Sequence, residues 1–419
     1  MYCRNFRDFK QGTQVSGRDA CFEASLPEDI QLNVASSIPE EIESDWNALV
    51  GDETVFLHTR YFKALGDLGK MLTYRYAWFT REGSLVGIAA FQITIAESSD
   101  LSTNLESDSF FSSIANRFLR NKTLAFRVLV LGNSFASGEH GFRFKDSVSG
   151  ALQPDLLEAA IDMIKKAEKE NGNRISATII KDFYPESFRF ADRFSNFRFA
   201  EFFVDPNMIM PVKPTWETFE DYLRALTSKY RTKAKAALKR SSKLEIRELT
   251  VEDIDSLQED LLKLYKQVYE RADFKLGRLD AESFFNLKRH LHDCFTLNGY
   301  FLENKLVGFQ SGFFYNGTLD CHFVGIDYDL NYEHAIYQRM LYEYIRLGIE
   351  SKVERISFGR TAMEIKSTVG AFPVDMKCYV RHRAKASNTL LRLLFGYIKP
   401  SEFNQRIAFK EKELEEIEV

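Results

Sequence analysis

Apolar and polar positions along the chain fall into two sets of elements that follow in the same order. In EGSLVGIAAFQIT (Glu82–Thr94) a polar turn leads into Leu-Val-Gly and an apolar strand, and ENKLVGFQSGFFYN (Glu303–Asn316) does the same. Each follows an aromatic strand, YRYAWFT or LNGYFLE. Both read as β-hairpins, with turns near Arg81-Glu82-Gly83 and Glu303-Asn304. Downstream, LLEAAIDMIKKAEKENGNRIS (Leu156–Ser176) and MLYEYIRLGIESKVERIS (Met340–Ser357) each read as an amphipathic helix that feeds a short strand. In the second, Ile336, Met340 and Leu347 with Tyr337, Leu341 and Tyr344 make one apolar face. Each set closes on a Phe-rich segment and a last strand, RFAEFFVDPNMIMPV and FPVDMKCYVRHR. The hairpins lie 303 − 82 = 221 residues apart and the strands after the helices 354 − 173 = 181. The first half therefore carries 221 − 181 = 40 extra residues, in the polar stretch from about Glu97 to Gly150. Repetition in this order predicts a duplicated unit.

Between the halves, TFEDYLRALTSKYRTKAKAALKRSSKL (Thr218–Leu244) reads as one long helix without Gly or Pro. After Ala225 it carries Lys229, Arg231, Lys233, Lys235, Lys239, Arg240 and Lys243, with no acid until Glu245. A solvated connector fits this run. So does a phosphate-binding wall built on Lys235, Lys239 and Arg240. The second half opens with a strand, LEIREL, and two helices, about Val251–Ala272 and Leu279–Leu291. The predicted division is a loose arm over 1–32, a first domain over 33–217, a basic linker helix over 218–243, a second domain over 244–385 and a C-terminal helical tail over 386–419.

Composition narrows the class. The chain has 419 residues and a net charge of −4, so any polyanion site is a local patch and general DNA affinity is not expected. Its five cysteines, Cys3, Cys21, Cys294, Cys321 and Cys378, are scattered without a C-x-x-C pair, which reads as reduced thiols in the cytoplasm. The N-terminal MYCRNFRDFKQG has no apolar core of a secretory signal, and no run of about 18 apolar residues predicts a membrane span.

The second half runs strand, helix, helix, three-strand meander, helix, strand, short helix, strand. This order resembles the Gcn5-related N-acetyltransferase (GNAT) fold, an α/β fold with a mixed sheet, and the tandem arrangement is similar to the FemAB-like branch of that superfamily. WNALV with VFLHTRYFKAL (Trp46–Leu65) resembles that family's opening helices, and SFRFADRFSNFRFAEFFVDPNMIMPV its approach to the last strand of the first domain. YLRALTSKYRTKAKAALKR resembles its basic linker, HFVGIDYDLNYEHAIYQRMLYEYIRLGIE the strand, loop and helix of its second domain, and FGRTAMEIKSTVGAF its Gly, Lys, Gly pattern. The likeness spans about Ile38 to His382. Two features depart from it. RSSKLEIREL returns to strand at once, without the long helical arm of FemA-type aminoacyl transferases. DLNYEHAIYQ has no Gly, so the GNAT acyl-CoA loop pattern is absent before the Met340 helix.

Candidate chemistry gathers in the second half. Thr361-x-x-Glu364 reads as a capping box that starts a short helix, and Gly370 as its stop. Ala362, Ile365 and Val369 make the expected buried stripe, with Lys366 beside it and Glu364 and Ser367 facing away. Lys366 either snorkels or points into a cleft. The resemblance implies the second, since the family's matching Lys lies in the active-site region; there it would stabilise a developing oxyanion. Arg360, with Thr361, sits at a strand end suited to a phosphate or carboxylate. On TLDCHFVGIDYD, strict alternation puts Asp320, His322 and Val324 on one face and Cys321 and Phe323 on the other. His322 is a candidate general base with Asp320 to orient it. Tyr337 is a candidate donor to the leaving group, while Asp327, Tyr328 and Asp329 read as turn chemistry. His290 and His292 lie on different helix faces and complete no metal site.

The expected activity is N-acyl transfer from an activated donor, with acyl-CoA as co-substrate, to a small-molecule or peptide amine held between the domains. No permanently bound cofactor is expected. The alternatives are a FemAB-like transferase using aminoacyl-tRNA in cell-wall peptide synthesis, and a degenerate GNAT pair that only binds a ligand.

Overall fold

Each hairpin turns as its sequence asks. The computed structural model describes residues 26–66, 72–97, 125–271, 279–389 and 400–415. Its strands are β1 (Ile30–Ala35), β2 (Leu72–Arg81), β3 (Ser84–Glu97), β4 (Ala125–Leu131), β5 (Phe142–Phe144), β6 (Ala177–Phe183), β7 (Ala200–Pro211), β8 (Glu245–Glu248), β9 (Phe295–Leu302), β10 (Lys305–Tyr315), β11 (Thr318–Ile326), β12 (Arg355–Ser357) and β13 (Phe372–His382). Glu82 and Gly83 join β2 to β3 with φ of 50° and 80°; Glu303 and Asn304 join β9 to β10 with φ of 50° and 65°. Two consecutive positive φ values make the turn that matches strand twist. The likeness extends to a defect. Gly87 faces Phe79 and Leu85 faces Thr80, which leaves Val86 as an extra residue. Gly308 faces Tyr300 and Leu306 faces Phe301, which leaves Val307 extra. The same β-bulge sits in the same Leu-Val-Gly of both halves.

Twelve strands form one mixed sheet in the order β1-β2-β3-β4-β6-β13-β7-β12-β11-β10-β9-β8, with β5 beside β3. Read from either end the pairing is the same: three antiparallel pairs, one parallel pair (β4–β6 or β11–β12), then an antiparallel pair onto a closing strand. The closing strands are exchanged. β7, from the first half, pairs with β12 of the second; β13, from the second, pairs with β6 of the first. β7 and β13 then pair with each other at the centre.

Helices cover both faces. They are α1 (Glu40–Val50), α2 (Thr59–Leu65), α3 (Gln153–Glu170), α4 (Phe219–Ala225), α5 (Ser228–Arg240), α6 (Val251–Ser256), α7 (Gln258–Arg271), α8 (Ala281–His290), α9 (Tyr328–His334), α10 (Ile336–Glu350) and α11 (Met363–Ser367), besides short helical stretches over 55–57, 185–197, 385–389 and 411–414. α3 buries Leu157, Ile161 and Ile164 in a core of the first half. α10 buries Leu341, Tyr344 and Ile345 with α4 and α5 in a core of the second. A third core is shared: Trp46 and Tyr61 of α1 and α2 meet Tyr265, Phe284 and Phe313. α10 comes so close to β10 that a Cβ on Gly308 would stand 2.7 Å from Met340 Cε.

Three expectations need correction. The arm is not loose to residue 32, because β1 begins at Ile30 with Leu32 buried; residues 1–25 lie outside the described residues. The linker is two helices. Leu226 is extended (φ −66°, ψ 147°) and bridges to Phe409, and Thr227 N–H donates to the Ala408 carbonyl. That bond and the one from Lys410 N–H to the Ala225 carbonyl replace helical bonds lost at the break, and Leu226 and Phe409 are buried there. The tail is helical over 385–389 and Glu411–Leu414, but residues 400–408 take no regular structure. Of the predicted insertion, 98–124 lie outside the described residues, and the rest supplies β4, β5 and a loop. Among the described residues no helix is long and apolar enough to cross a membrane.

Candidate functional site

The candidate site lies where two parallel strands part. β11 pairs with β12 only over Thr318–Asp320, after which β12 ends at Ser357 while β11 runs on to Ile326 with β10 alone. The opening of such a fork is a usual place for a ligand. Gly359, with φ of 76°, turns the chain away from the fork. α11 then brings Lys366 back into it.

Lys366 does not snorkel. Its side chain is buried and its Nζ donates to the Gly359 carbonyl at 3.2 Å. Burial pulls the ammonium down to about 8, with Cys321 and Asp320 opposing. The local expectations around it were wrong in detail. Ala362, not Thr361, is the N-cap, in left-handed backbone (φ 53°) and without a side-chain cap bond, so the capping box does not form. The buried face is Met363, Lys366 and Ser367, while Ala362 is exposed and Ile365 half-buried. Ser367 faces inward because the tail crosses there: Arg406 N–H donates to its hydroxyl, and the Arg406 guanidinium pairs with Glu364.

A bulge on β11 rearranges its faces. Gln310 faces Val324 and Gly312 faces Cys321, so Ser311 stands opposite both His322 and Phe323; its hydroxyl donates to the Phe323 carbonyl and accepts from the Phe323 amide. Phe323 therefore packs with the shared core, while Val324 packs with Cys321 against α10. The alternation expected from the sequence fails at this step.

Asp320 is buried in the fork. Tyr315 Oη donates to its Oδ2 at 3.0 Å, and Ser357 stands opposite it in the β11–β12 pairing. Burial pushes its carboxyl up to about 7, with Tyr315, Ser357 and Lys366 opposing. It does not orient His322, as its bond is to Tyr315. His322 sits among Phe323, Phe313 and Phe56, with ring centroids 4.1, 4.9 and 6.4 Å away, and neither ring nitrogen has a side-chain partner. Burial pulls the imidazole down to about 3, with the Phe135 backbone opposing. A group held there is a weak base, and Asp320 is the better placed one.

The other candidates divide. Arg360 has found a carboxylate inside the protein: buried Asp182, at the end of β6, lies 3.3 Å from its Nη1 and also pairs with Lys181 at 2.5 Å. Burial alone would push the Asp182 carboxyl up; Arg360 and Lys181 more than offset it. Thr361 is exposed. Tyr337 lies on α10 near Cys321, and burial pushes its phenol up. Its backbone N–H is taken by Asn331 Oδ1 at 2.9 Å, so α9 covers part of the α10 N-terminus. Lys235 and Lys239 are exposed on the outer side of α5, and Arg240 donates to the Glu333 carbonyl and lies over the Tyr332 ring. Among the described residues no cluster of His, Cys, Asp or Glu could hold a metal ion. A groove of about 340 Å³ lies between α5, α10 and α11, lined by Lys233, Gln338, Leu341, Tyr342, Ile365 and Thr368 among others.

Sequence reasoning missed the polar partners that surround Asp320: Tyr315, Ser357, Asn207 and Tyr184. Asn207 Nδ2 donates to Tyr184 Oη at 2.8 Å and to Ser357 Oγ at 3.1 Å. One signal was available. Asn207 interrupts an apolar strand, as Lys181-Asp182 interrupt ATIIKDF, and a polar group inside a buried strand needs a partner.

In sequence, residues 228–367 match the family described as the acetyltransferase (GNAT) domain. No curated protein matches the chain. In fold, it is similar to the crystal structure of FemX, with a TM-score of 0.50 at 13% identity, covering 84% of this chain and 98% of that one. A tandem GNAT protein from the clavulanic acid biosynthesis pathway aligns at 0.48 and 8% identity, covering 85% of this chain and 99% of its own. L-PGS from Bacillus licheniformis aligns at 0.46 and 12%, covering 87% and 98%. Residues 228–367 thus match an acetyltransferase (GNAT) domain, and the first half repeats the strand pairing of the second.

Proposed function

We propose that this chain, a GNAT-type transferase by its matched domain, moves an acyl group from an activated donor to an amine bound between the halves. What supports this reading is the buried pair of Asp320 and Lys366 at the open fork. An amine must lose its proton to attack a carbonyl. Asp320, poised near 7, is suited to take it. The attack puts negative charge on the carbonyl oxygen, and the Lys366 ammonium is placed to stabilise that charge in a site of low dielectric. Collapse of the adduct breaks the bond to the leaving group, and the proton for that group is assigned to Tyr337. Acyl-CoA is the proposed donor. The groove beside α11 is the proposed path for it, since it borders the helix that carries Lys366 and Leu341, Ile365 and Val369 form part of its lining. The reduced thiols Cys294, Cys321 and Cys378 suit a cytoplasmic setting.

The test is turnover with a panel of acyl-CoAs and amines. Lys366→Met keeps the apolar stem and removes the charge, and should cost about 10²–10³ in rate with the fold intact. Near-native turnover in that variant would return Lys366 to a structural role. Binding of the donor without turnover in the wild type would instead favour a ligand-binding protein.

The basic outer face of α5 favours a second reading, with aminoacyl-tRNA as donor. Lys235, Lys239 and Arg240 changed together to Glu should then abolish donor binding at low salt, and the effect should shrink as salt rises. Unchanged binding leaves α5 a solvated connector.

A further inference from the structure

The exchange of closing strands has a chemical result at the fork. Asn207 lies on β7, a first-half strand, yet its buried amide reaches Ser357 of the second half. Both of its N–H groups are committed, one to Tyr184 Oη at 2.8 Å and one to Ser357 Oγ at 3.1 Å. An N–H donated to the Ser357 oxygen turns the hydroxyl proton away from that N–H. Asn207 Oδ1, at 3.5 Å, is too far to hold the proton well. The remaining acceptor is the Asp320 carboxyl, which stands opposite Ser357 in the β11–β12 pairing.

We infer that Asn207 is a positioning residue for Asp320, acting through the Ser357 hydroxyl, so that the second half's site is incomplete without a strand of the first. The inference rests on Asp320 as the base. Its physical content, control of one carboxyl by one amide across the exchanged strand, holds whatever the reaction. The other groups that Asp320 faces are Tyr315, Tyr184, Tyr61, Tyr344, Cys321 and Lys366. Of these, Tyr315 donates directly and Lys366 acts through its charge. Neither depends on Asn207 in the bonds described.

A hydroxyl that donates to a carboxylate favours its charged form, so its loss raises the carboxyl's titration midpoint. The experiment follows the Asp320 carboxyl by NMR in full-length protein isotope-labelled at aspartate carboxyl carbons, with the signal assigned by its loss in Asp320→Asn. Asn207→Ala should raise the midpoint by about one pH unit, and Ser357→Ala by a similar amount. The double variant should shift no further than Ser357→Ala alone, because the two act in series. An unchanged midpoint in Asn207→Ala, or additive shifts in the double variant, overturns the inference. If Asn207→Ala does not fold, Asn207→Ser carries the same comparison. In an activity assay the acidic limb of the pH profile should move up with the midpoint. A wild type that shows no acyl transfer would overturn the proposed function and leave the titration result standing.

Discussion

At the residue scale, two groups that are mostly surface charges elsewhere are buried together at the fork, and their ionisation sets a working window. The proposed reaction needs Asp320 as carboxylate, so the rate should rise as pH passes about 7. It also needs Lys366 as ammonium, so the rate should fall as pH passes about 8. The expected kcat/KM profile is a narrow bell, with limbs that belong to the pair rather than to either group alone. Lys366→Arg keeps a cation that does not titrate in this range and should remove the alkaline limb at whatever rate survives. A flat profile, or an alkaline limb that persists in Lys366→Arg, would take the ammonium out of the chemistry. Lys366 was legible as a lone lysine beside an apolar stripe, though it was the family resemblance that chose the cleft over snorkelling. The identity of the base was not legible. His322 was the expected base and Asp320 its orienting partner; what separates them is burial among rings for one and a hydrogen bond from Tyr315 for the other.

At the scale of elements, the hairpins, the meander and α10 were readable because period and turn residues act locally. The errors came from distant parts of the chain. Nothing near Leu226 marks a helix break; the cause is Phe409, from the far end of the sequence. The failed cap on α11 and the inward turn of Ser367 trace to the same crossing segment through Arg406. The alternation on β11 was lost to one bulge at His322-Phe323, opposite Ser311. Phe409 is 1% exposed and packs where Gly370, at φ of 103°, leaves no room for a Cβ, which would stand 2.4 Å from its ring. Phe409→Ala should therefore cost about 3–5 kcal/mol in a denaturant titration. It should also raise hydrogen exchange over Leu226–Ser228 and α11 more than over α3. Uniform exchange across both halves would mean that the tail holds no element in particular.

At the scale of the molecule, the palindromic strand order makes the halves mutually dependent. A protease site placed at the exposed Pro214-Thr215 should yield two fragments that still migrate as one species, since β7 stays bound between β12 and β13. Separation of the fragments without denaturant would show that the exchanged strands contribute little. The exchange also has a consequence in time. On the ribosome, β6 ends at Phe183 and its partner β13 begins at Phe372. At about 5–20 residues per second, the wait for that partner is roughly 10–40 s. Throughout it the nascent first half holds one side of β6 without its partner strand, the kind of open edge that pairs with neighbouring chains. Slower translation of the second half should therefore lower soluble yield, while a faster one should raise it.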